Sequence, residues 1–276
     1  MTTPAAASTQ ARAAVLLAAL DGARTVPTLT GADPSFALPD AFAVADEIRR
    51  RRLARGERTV GYKIGFTNRG IWARYGVFAP IWGPIWDTTT ERIDSAEALV
   101  SLAPFVEPRL EPEVMFGFAR APSPGMDMRA LVGCIDWVAH GYEIVHTHFA
   151  GWRFAAADTV ADFALHGRLF VGPRIAIDRF DGGSVDTELA ALRVTLACDG
   201  RDVEEGEASI VLDGPLHALR AWIDAMAVQT PNWPIRAGDI VTTGTITDAA
   251  PLRPEECWQT RLSDQRLVAM TLRTTG

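Results

Sequence analysis

Apolar and polar positions recur with different periods along the chain, and those periods predict its elements. Ala11 to Leu20 is a short apolar run that reads as a helix, and Gly22 to Pro39, with three prolines among small residues, reads as a connecting loop. Asp40 offers a cap for a second helix with Phe42, Val44, Ile48 and Leu53 on its apolar side. The arginine run 49–52 and Gly56 end it near residue 55, with the arginines as a solvated face and helix end. Thr59 to Gly65 is rich in β-formers and predicts a short strand opening into a loop. Residues 66–87 hold three tryptophans, three glycines and two prolines, with no period over their second half; they predict an aromatic loop, either a lid or a small aromatic core under a loop. Strand-like segments follow at 105–117, 141–149, 168–177, 192–198, 240–246 and 265–273, with helical stretches near 128–139 and 215–228.

This mixture predicts an α+β fold. A small N-terminal helical part over about 1–75, carrying the first strand, packs on a β-rich body over 76–276, the two forming one integrated domain. Composition narrows the class. A net charge of -7 with both signs interspersed leaves no basic stripe for a phosphate backbone, which argues against nucleic acid. Cys134, Cys198 and Cys257 are widely spaced and predict no disulfide framework. Residues 1–11 lack the charged start and apolar run of an export signal, and no stretch approaches the roughly 18 apolar residues of a membrane span. The expectation is a soluble, cytoplasmic protein with no membrane partner.

Lys63 is the only lysine among 27 basic residues. Arginine replaces lysine freely on a solvated surface but stays charged when buried, whereas an amine can lose its proton. A site needing a compact ammonium or a proton shuttle therefore keeps lysine. The segment from Glu107 to Phe116 alternates, with Glu107, Arg109, Glu111 and Glu113 on one face and Leu110, Val114 and Phe116 on the other. Glu111 and Glu113 then enter one space, where a hard divalent cation or a shared proton relieves their repulsion. Pro112 between them removes a ladder donor and predicts an edge or a bulge. A second candidate is Tyr142-Glu143-Ile144-Val145-His146-Thr147-His148, an apolar strand holding one acid and two histidines; such an acid should be paired or metal-bound. The His-x-His spacing could also bind a transition metal, but no third histidine or acid stands at the expected offset, which favours polar core or pocket residues.

Several ordered blocks make the chain resemble the 2-keto-4-pentenoate hydratase and oxalocrotonate decarboxylase branch of the fumarylacetoacetate hydrolase superfamily. They are Gly61-Tyr62-Lys63-Ile64-Gly65-Phe66-Thr67, Glu111-Pro112-Glu113, Glu143-Ile144-Val145 with Ala150-Gly151-Trp152, Asp158 to Asp162, Gly214-Pro215-Leu216, and Gly238-Asp239-Ile240-Val241 ending in Thr243-Gly244-Thr245. The resemblance implies a β-roll or barrel-like body, a homo-oligomer, and magnesium or manganese held by Glu111, Glu113 and Glu143. It also implies Lys63 in the active site and Gly65, Thr67 and Thr245 around a small 2-oxo or enol acid substrate. The activity it implies is a lyase that adds water to a 2-hydroxy-2,4-dienoate or 2-oxo-enoic acid by way of an enolate. Alternatives are decarboxylation of an oxalocrotonate-like acid, acylpyruvate-type carbon–carbon hydrolysis, or a non-catalytic partner, since family hydratases associate with decarboxylases. The chain departs from the family pattern at Phe78-Ala79-Pro80-Ile81-Trp82, where hydratases usually carry an acidic residue, at His146, where an aspartate is usual, and at Phe163-Ala164-Leu165-His166, in place of an Asn-Ala-Ser-Ser type run. These departures imply a reshaped pocket for a more apolar or aromatic substrate, with His146 or His166 replacing a lost acid or base.

Overall fold

Strands expected far apart in the chain meet in two sheets in the computed structural model, which describes residues 8–180, 184–230 and 232–276. The larger sheet is built from β1 (Thr59–Gly65), β2 (Ile81–Trp86), β3 (Thr90–Arg92), β5 (Arg109–Phe118), β6 (Ile135–Val145), β7 (His166–Val171) and β11 (Ile240–Thr245). Its order is β2-β1-β11-β5-β6-β7-β3, with β8 (Ile175–Ala176) beside β6 and β12 (Ala250–Pro251) beside β5. The smaller sheet runs β10-β9-β13-β14-β4, from β4 (Glu97–Ser101), β9 (Arg193–Cys198), β10 (Arg201–Glu207), β13 (Cys257–Leu262) and β14 (Thr271–Thr275). Leu110, Tyr142, Ile144 and Phe170 of the first sheet pack against Leu196, Trp258 and Leu272 of the second. The larger core lies where the sheet meets the helices α1 (Thr9–Asp21), α3 (Leu38–Ala54) and α8 (Pro215–Gln229), with α2 (Leu29–Ala32), α4 (Trp72–Tyr75), α5 (Met128–Val132), α6 (Ala156–Ala161) and α7 (Val185–Ala190) as short connectors. The α+β expectation, with a curled β-rich body, holds.

Local chemistry explains the helix ends. The Ser8 hydroxyl accepts the Ala11 N–H and starts α1. Helix α3 begins at Leu38, ahead of the expected cap: Pro39 fits a first turn whose N–H needs no partner, and Asp40 accepts the Ala37 N–H at 3.1 Å. Arg52, expected in a solvated face, is buried; it pairs with Glu57 at 2.5 Å and lies 4.4 Å over the Trp86 ring. Most of residues 1–11, the segment without an export-signal pattern, lies outside the described residues.

Three expectations give way to tertiary pairing. The second half of the aromatic loop is the wholly buried strand β2, antiparallel to β1, with Trp82 and Trp86 in the core. The helix expected over 128–139 stops at Val132, because the following residues are drawn into a ladder with β5 from Phe118–Ile135 to Arg109–Val145. The strand expected at 265–273 forms only over 271–275. Strand β10, of sequence RDVEEGE, has no apolar period to reveal it and exists by pairing with β9.

Candidate active site

Strand β5 is central, not an edge, with β6 on one side and β11 then β12 on the other. Pro112 falls at the hand-over between these two, where the register of β11 shifts between Thr242 and Thr245 and the Ile246 N–H turns to the Pro112 carbonyl at 3.0 Å. The extra residue belongs to β11, opposite residues 113–115, while β5 pairs with β6 without a break through Pro112, so β5 is neither an edge nor bulged at the proline, which is tolerated where β11 and β12 leave a gap. The displaced segment after Thr245 lines a cavity of about 420 Å³ together with Lys63, Gly65, Thr67, Arg109 and Glu111.

The ladder brings the acids together. Glu111 pairs directly opposite Glu143, and Glu113 follows on the same face of β5, so ligand oxygens of Glu111, Glu113 and Glu143 lie within 4.8 Å of one another. Glu113 and Glu143 are fully buried, whereas Glu111 is half-buried and reaches the cavity. Lys63, on β1, is buried with Nζ 3.2 Å from Glu143 Oε2. Gly244 has φ +103, and a Cβ there would stand 2.0 Å from Thr67 Oγ1; this glycine lets the backbone approach and donate its N–H to Glu113 Oε2 at 2.8 Å. The other oxygen, Glu113 Oε1, is buried without a hydrogen-bond partner among the described residues.

Like charges in a dry site set the protonation. Burial, aided by repulsion from Glu113 and Glu143 on Glu111 and from Glu143 on Glu113, outweighs the pull of Lys63 and pushes Glu111 and Glu113 up to about 8. Burial also raises Glu143, against the pull of Lys63. For Lys63, burial works against the ammonium, but Glu143, Glu111 and Glu113 outweigh it and raise its pKa. Water reaches Glu111 from the cavity but not Glu113 or Glu143, which are fully buried. A cation can stabilise all three, and an orphaned carboxylate oxygen beside two further carboxylates, with no sulfur or ring nitrogen in the set, suits a hard divalent ion such as magnesium or manganese.

The histidines stand elsewhere. His166 Nδ1 lies 2.7 Å from Glu143 Oε1 and its Nε2 2.8 Å from the Thr89 hydroxyl, and burial, with Lys63 beyond it, holds its pKa well below the ordinary value. A neutral ring that accepts from Thr89 donates Nδ1–H to Glu143. His146 does not line the cavity: its Nδ1 accepts the Val106 N–H at 3.3 Å, its ring packs edge-on against Phe105 at 5.4 Å, and burial first, then His148, pushes it down to about 3. His148 Nδ1 meets Asp162 Oδ1 at 2.6 Å. Asp162 also accepts from the His148 N–H at 2.9 Å and the Thr147 hydroxyl at 3.2 Å. This cluster braces a strained turn in which Phe163, Ala164 and Leu165 have φ of 57, 52 and 64. Ala164 and Leu165 are carried into the cavity wall.

Of the residues singled out from the sequence, Lys63, Gly65, Thr67, Glu111 and Thr245 line the cavity, Glu113, Glu143 and His166 stand behind them, and His146 is apart. The Thr245 hydroxyl donates to the Thr247 carbonyl at 2.9 Å. Sequence reasoning missed Phe66, Arg74, Tyr75, Arg109, Trp152 and Phe154 as lining residues. Signals existed for some of them: Arg109 shares a strand face with Glu111, and Phe66 and Trp152 lie in the blocks that carry the resemblance, whereas Arg74, Tyr75 and Phe154 had only their basic or aromatic character.

Fold and site define the class: a β-roll carrying a buried acidic centre beside a cavity. No family model matches the chain. Among curated proteins, the 2-hydroxyhexa-2,4-dienoate hydratase of Comamonas testosteroni is 31% identical over 240 residues, 87% of this chain and 86% of that protein. A 4-oxalocrotonate decarboxylase of a Pseudomonas species is 29% identical over 259 residues, 94% of each. The solved 4-oxalocrotonate decarboxylase of Pseudomonas putida G7, complexed with magnesium and adipate, superposes with a TM-score of 0.86 at 27% identity, covering 96% of this chain and 97% of that one. The chain belongs to the family of 2-keto-4-pentenoate hydratases and 4-oxalocrotonate decarboxylases within the fumarylacetoacetate hydrolase superfamily. No helix among the described residues is long and apolar enough to cross a membrane.

Proposed function

We propose that this protein is a divalent-metal-dependent lyase that adds water to a 2-hydroxy-2,4-dienoate or related 2-oxo-enoic acid. One observation carries the reading: three carboxylates within 4.8 Å and the chain's only lysine 3.2 Å from one of them, at the wall of a cavity. Glu111, Glu113 and Glu143 hold magnesium or manganese, which when bound supplies Lewis-acid polarisation of a 2-oxo acid. Lys63, its ammonium favoured by the neighbouring carboxylates, donates a proton from Nζ to the terminal carbon as the 2-hydroxyl of the dienol loses its own to solvent, and the amine so formed takes a proton from the water whose oxygen bonds C4 while C3 is protonated from solvent. Gly65, Thr67 and Thr245 shape the substrate's seat.

His166 is a positioning residue: its Nδ1–H fixes Glu143 Oε1 and leaves Oε2 for the centre. His146, neutral and turned from the cavity, has no part in proton transfer. Ile81 lines the cavity within the segment where the family carries an acid, so Lys63 handles protons without that partner. The protein works as a homo-oligomer, as the family resemblance implies, and in the cytoplasm, a reading supported by its three free cysteines.

A second reading, decarboxylation of an oxalocrotonate-like acid, is favoured by the 94% coverage of a decarboxylase relative and by the TM-score of 0.86. Absorbance of 2-hydroxypenta-2,4-dienoate separates the two, followed with and without EDTA and then with added magnesium or manganese. Metal-dependent loss of the dienol with a product heavier by one water supports hydration. An inert dienol alongside carbon dioxide release from 4-oxalocrotonate would replace it by decarboxylation.

A further inference from the structure

The cavity wall beside the acidic centre is aromatic. Phe66 and Tyr75 stack with centroids 5.0 Å apart, Tyr75 and Phe154 at 5.8 Å, and Phe154 and Trp152 lie at 6.0 Å. These four rings come from separate stretches of chain, line the cavity and are each only half-buried. Arg109 fixes where the wall begins: it lies two residues from Glu111 on the same face of β5, about 7 Å along a strand, and its guanidinium sits 4.2 Å over the Trp152 ring. A 2-oxo acid held through its carboxyl and 2-oxygen at a cation that Glu111, Glu113 and Glu143 would bind therefore meets these rings with its far carbons.

We propose that this wall selects substrates whose far end is a bulky apolar group, an aryl ring in chemical class, over short or carboxylate-ended chains. The inference rests on the 2-oxo-enoic acid reading above. Size favours it: a cavity of about 420 Å³ falls in the range that encloses drug-sized ligands, and a five-carbon dienoate leaves most of the wall uncovered. Charge favours it too. Arg74 and Arg109 are balanced in the lining by Glu204 and Asp248, and both guanidiniums lie over rings, Arg74 at 5.4 Å from the Tyr75 centroid, so no net positive pole awaits a second carboxylate. Offset aromatic pairs add to apolar burial, which makes a ring the best-matched tail.

Calorimetry on the manganese-loaded full-length protein tests this with three saturated, unreactive 2-oxo acids: 2-oxopentanoate, 2-oxo-6-phenylhexanoate and 2-oxoadipate. The phenyl acid is expected to bind about tenfold tighter than 2-oxopentanoate, and 2-oxoadipate to gain nothing. That ratio should fall towards one in Tyr75→Ala and Phe154→Ala and persist in Tyr75→Phe, which keeps the ring and controls for folding. Equal binding of the first two acids, tighter binding of 2-oxoadipate, no binding of any acid, or a ratio unmoved by both alanine variants would each overturn the proposal. If the phenyl preference holds while no dienol is turned over, the tail site stands and the hydration reading is the one that fails.

Discussion

Two buried polar clusters lie a few residues apart along β6 and beyond it, and they are built on opposite principles. In the acidic centre, Glu111, Glu113 and Glu143 carry like charge, one lysine answers them, and Glu113 Oε1 has no partner among the described residues. Around Asp162 the charge is answered within the fold: both carboxylate oxygens are taken up by donors from Thr147 and His148. The first is held together against its own electrostatics, and the second holds a strained turn in place. A buried charge answered by its neighbours marks structure, even where one ring nitrogen, His148 Nε2, has no partner among the described residues, whereas a like-charged set left short of counter-charge marks a site built for something from outside. Cations and histidines alone would not have separated the two.

The sharpest test is loss of Lys63. Lys63→Met should lower kcat about 10²–10⁴-fold on the dienol substrate while circular dichroism stays unchanged, the range of a lost acid–base group. Activity within threefold of wild type would end its assignment to proton transfer.

Breaking the other cluster should read out as stability. Asp162→Ala leaves His148 Nδ1 and the Thr147 hydroxyl unanswered and frees the turn at Phe163 to Leu165, so urea unfolding should show a loss of about 3 kcal/mol. A variant as stable as wild type but inactive would reverse the comparison, making Asp162 part of the chemistry.

Metal and pH distinguish the clusters next. Carboxylates whose folded pKa is raised stabilise the fold below the ordinary carboxylate range and lose that contribution as pH rises through the folded values, about 8 for Glu111 and Glu113. Metal-free protein should therefore lose stability between pH 5 and 8, and a divalent ion should reverse the loss. Manganese at a hundred times its Kd adds about 2.7 kcal/mol, on the order of 5 °C in Tm, and its effect should be larger at pH 8 than at pH 5.5, where protons compete for the same oxygens. Equal shifts at both pH values, or an undiminished shift in Glu113→Gln, would sink the carboxylate site.

The histidines give the finest contrast. His166→Ala should weaken manganese binding about 10–100-fold through Glu143, and His146→Ala should leave it unchanged while lowering stability by about 1 kcal/mol, the Val106 N–H having lost its acceptor. Equal losses of manganese affinity in both variants would return His146 to the centre.

The legible part of the site was local or compositional. A lone lysine among arginines, alternating glutamates on one strand face and a run of ordered blocks are visible in one dimension, because each depends on neighbours a few residues away or on a count. The α1 and α8 helices and the strands β1, β9 and β11 were legible for the same reason. Illegible were the aromatic wall, gathered from Phe66, Tyr75, Trp152 and Phe154, and the ring contacts that tell His166 from His146. In sequence His146 stands nearer Glu143 than His166 does, yet burial and partners give the contact with Glu143 to His166.

What the chain alone determined was chemistry: one amine that can shuttle a proton, three acids able to share a hard cation, and an α+β body to carry them. Tertiary structure decided geometry. The ladder that sets Glu111 opposite Glu143 turned the second part of the helix expected over 128–139 into strand from Ile135, and the pairing of β2 with β1 made the second half of the aromatic loop core, the alternative to a lid. Local propensity is worth tenths of a kcal/mol per residue, while a buried ladder position gains hydrogen bonds and apolar burial together. Where the two disagree, the long-range contact decides, and no window of sequence contains its partner.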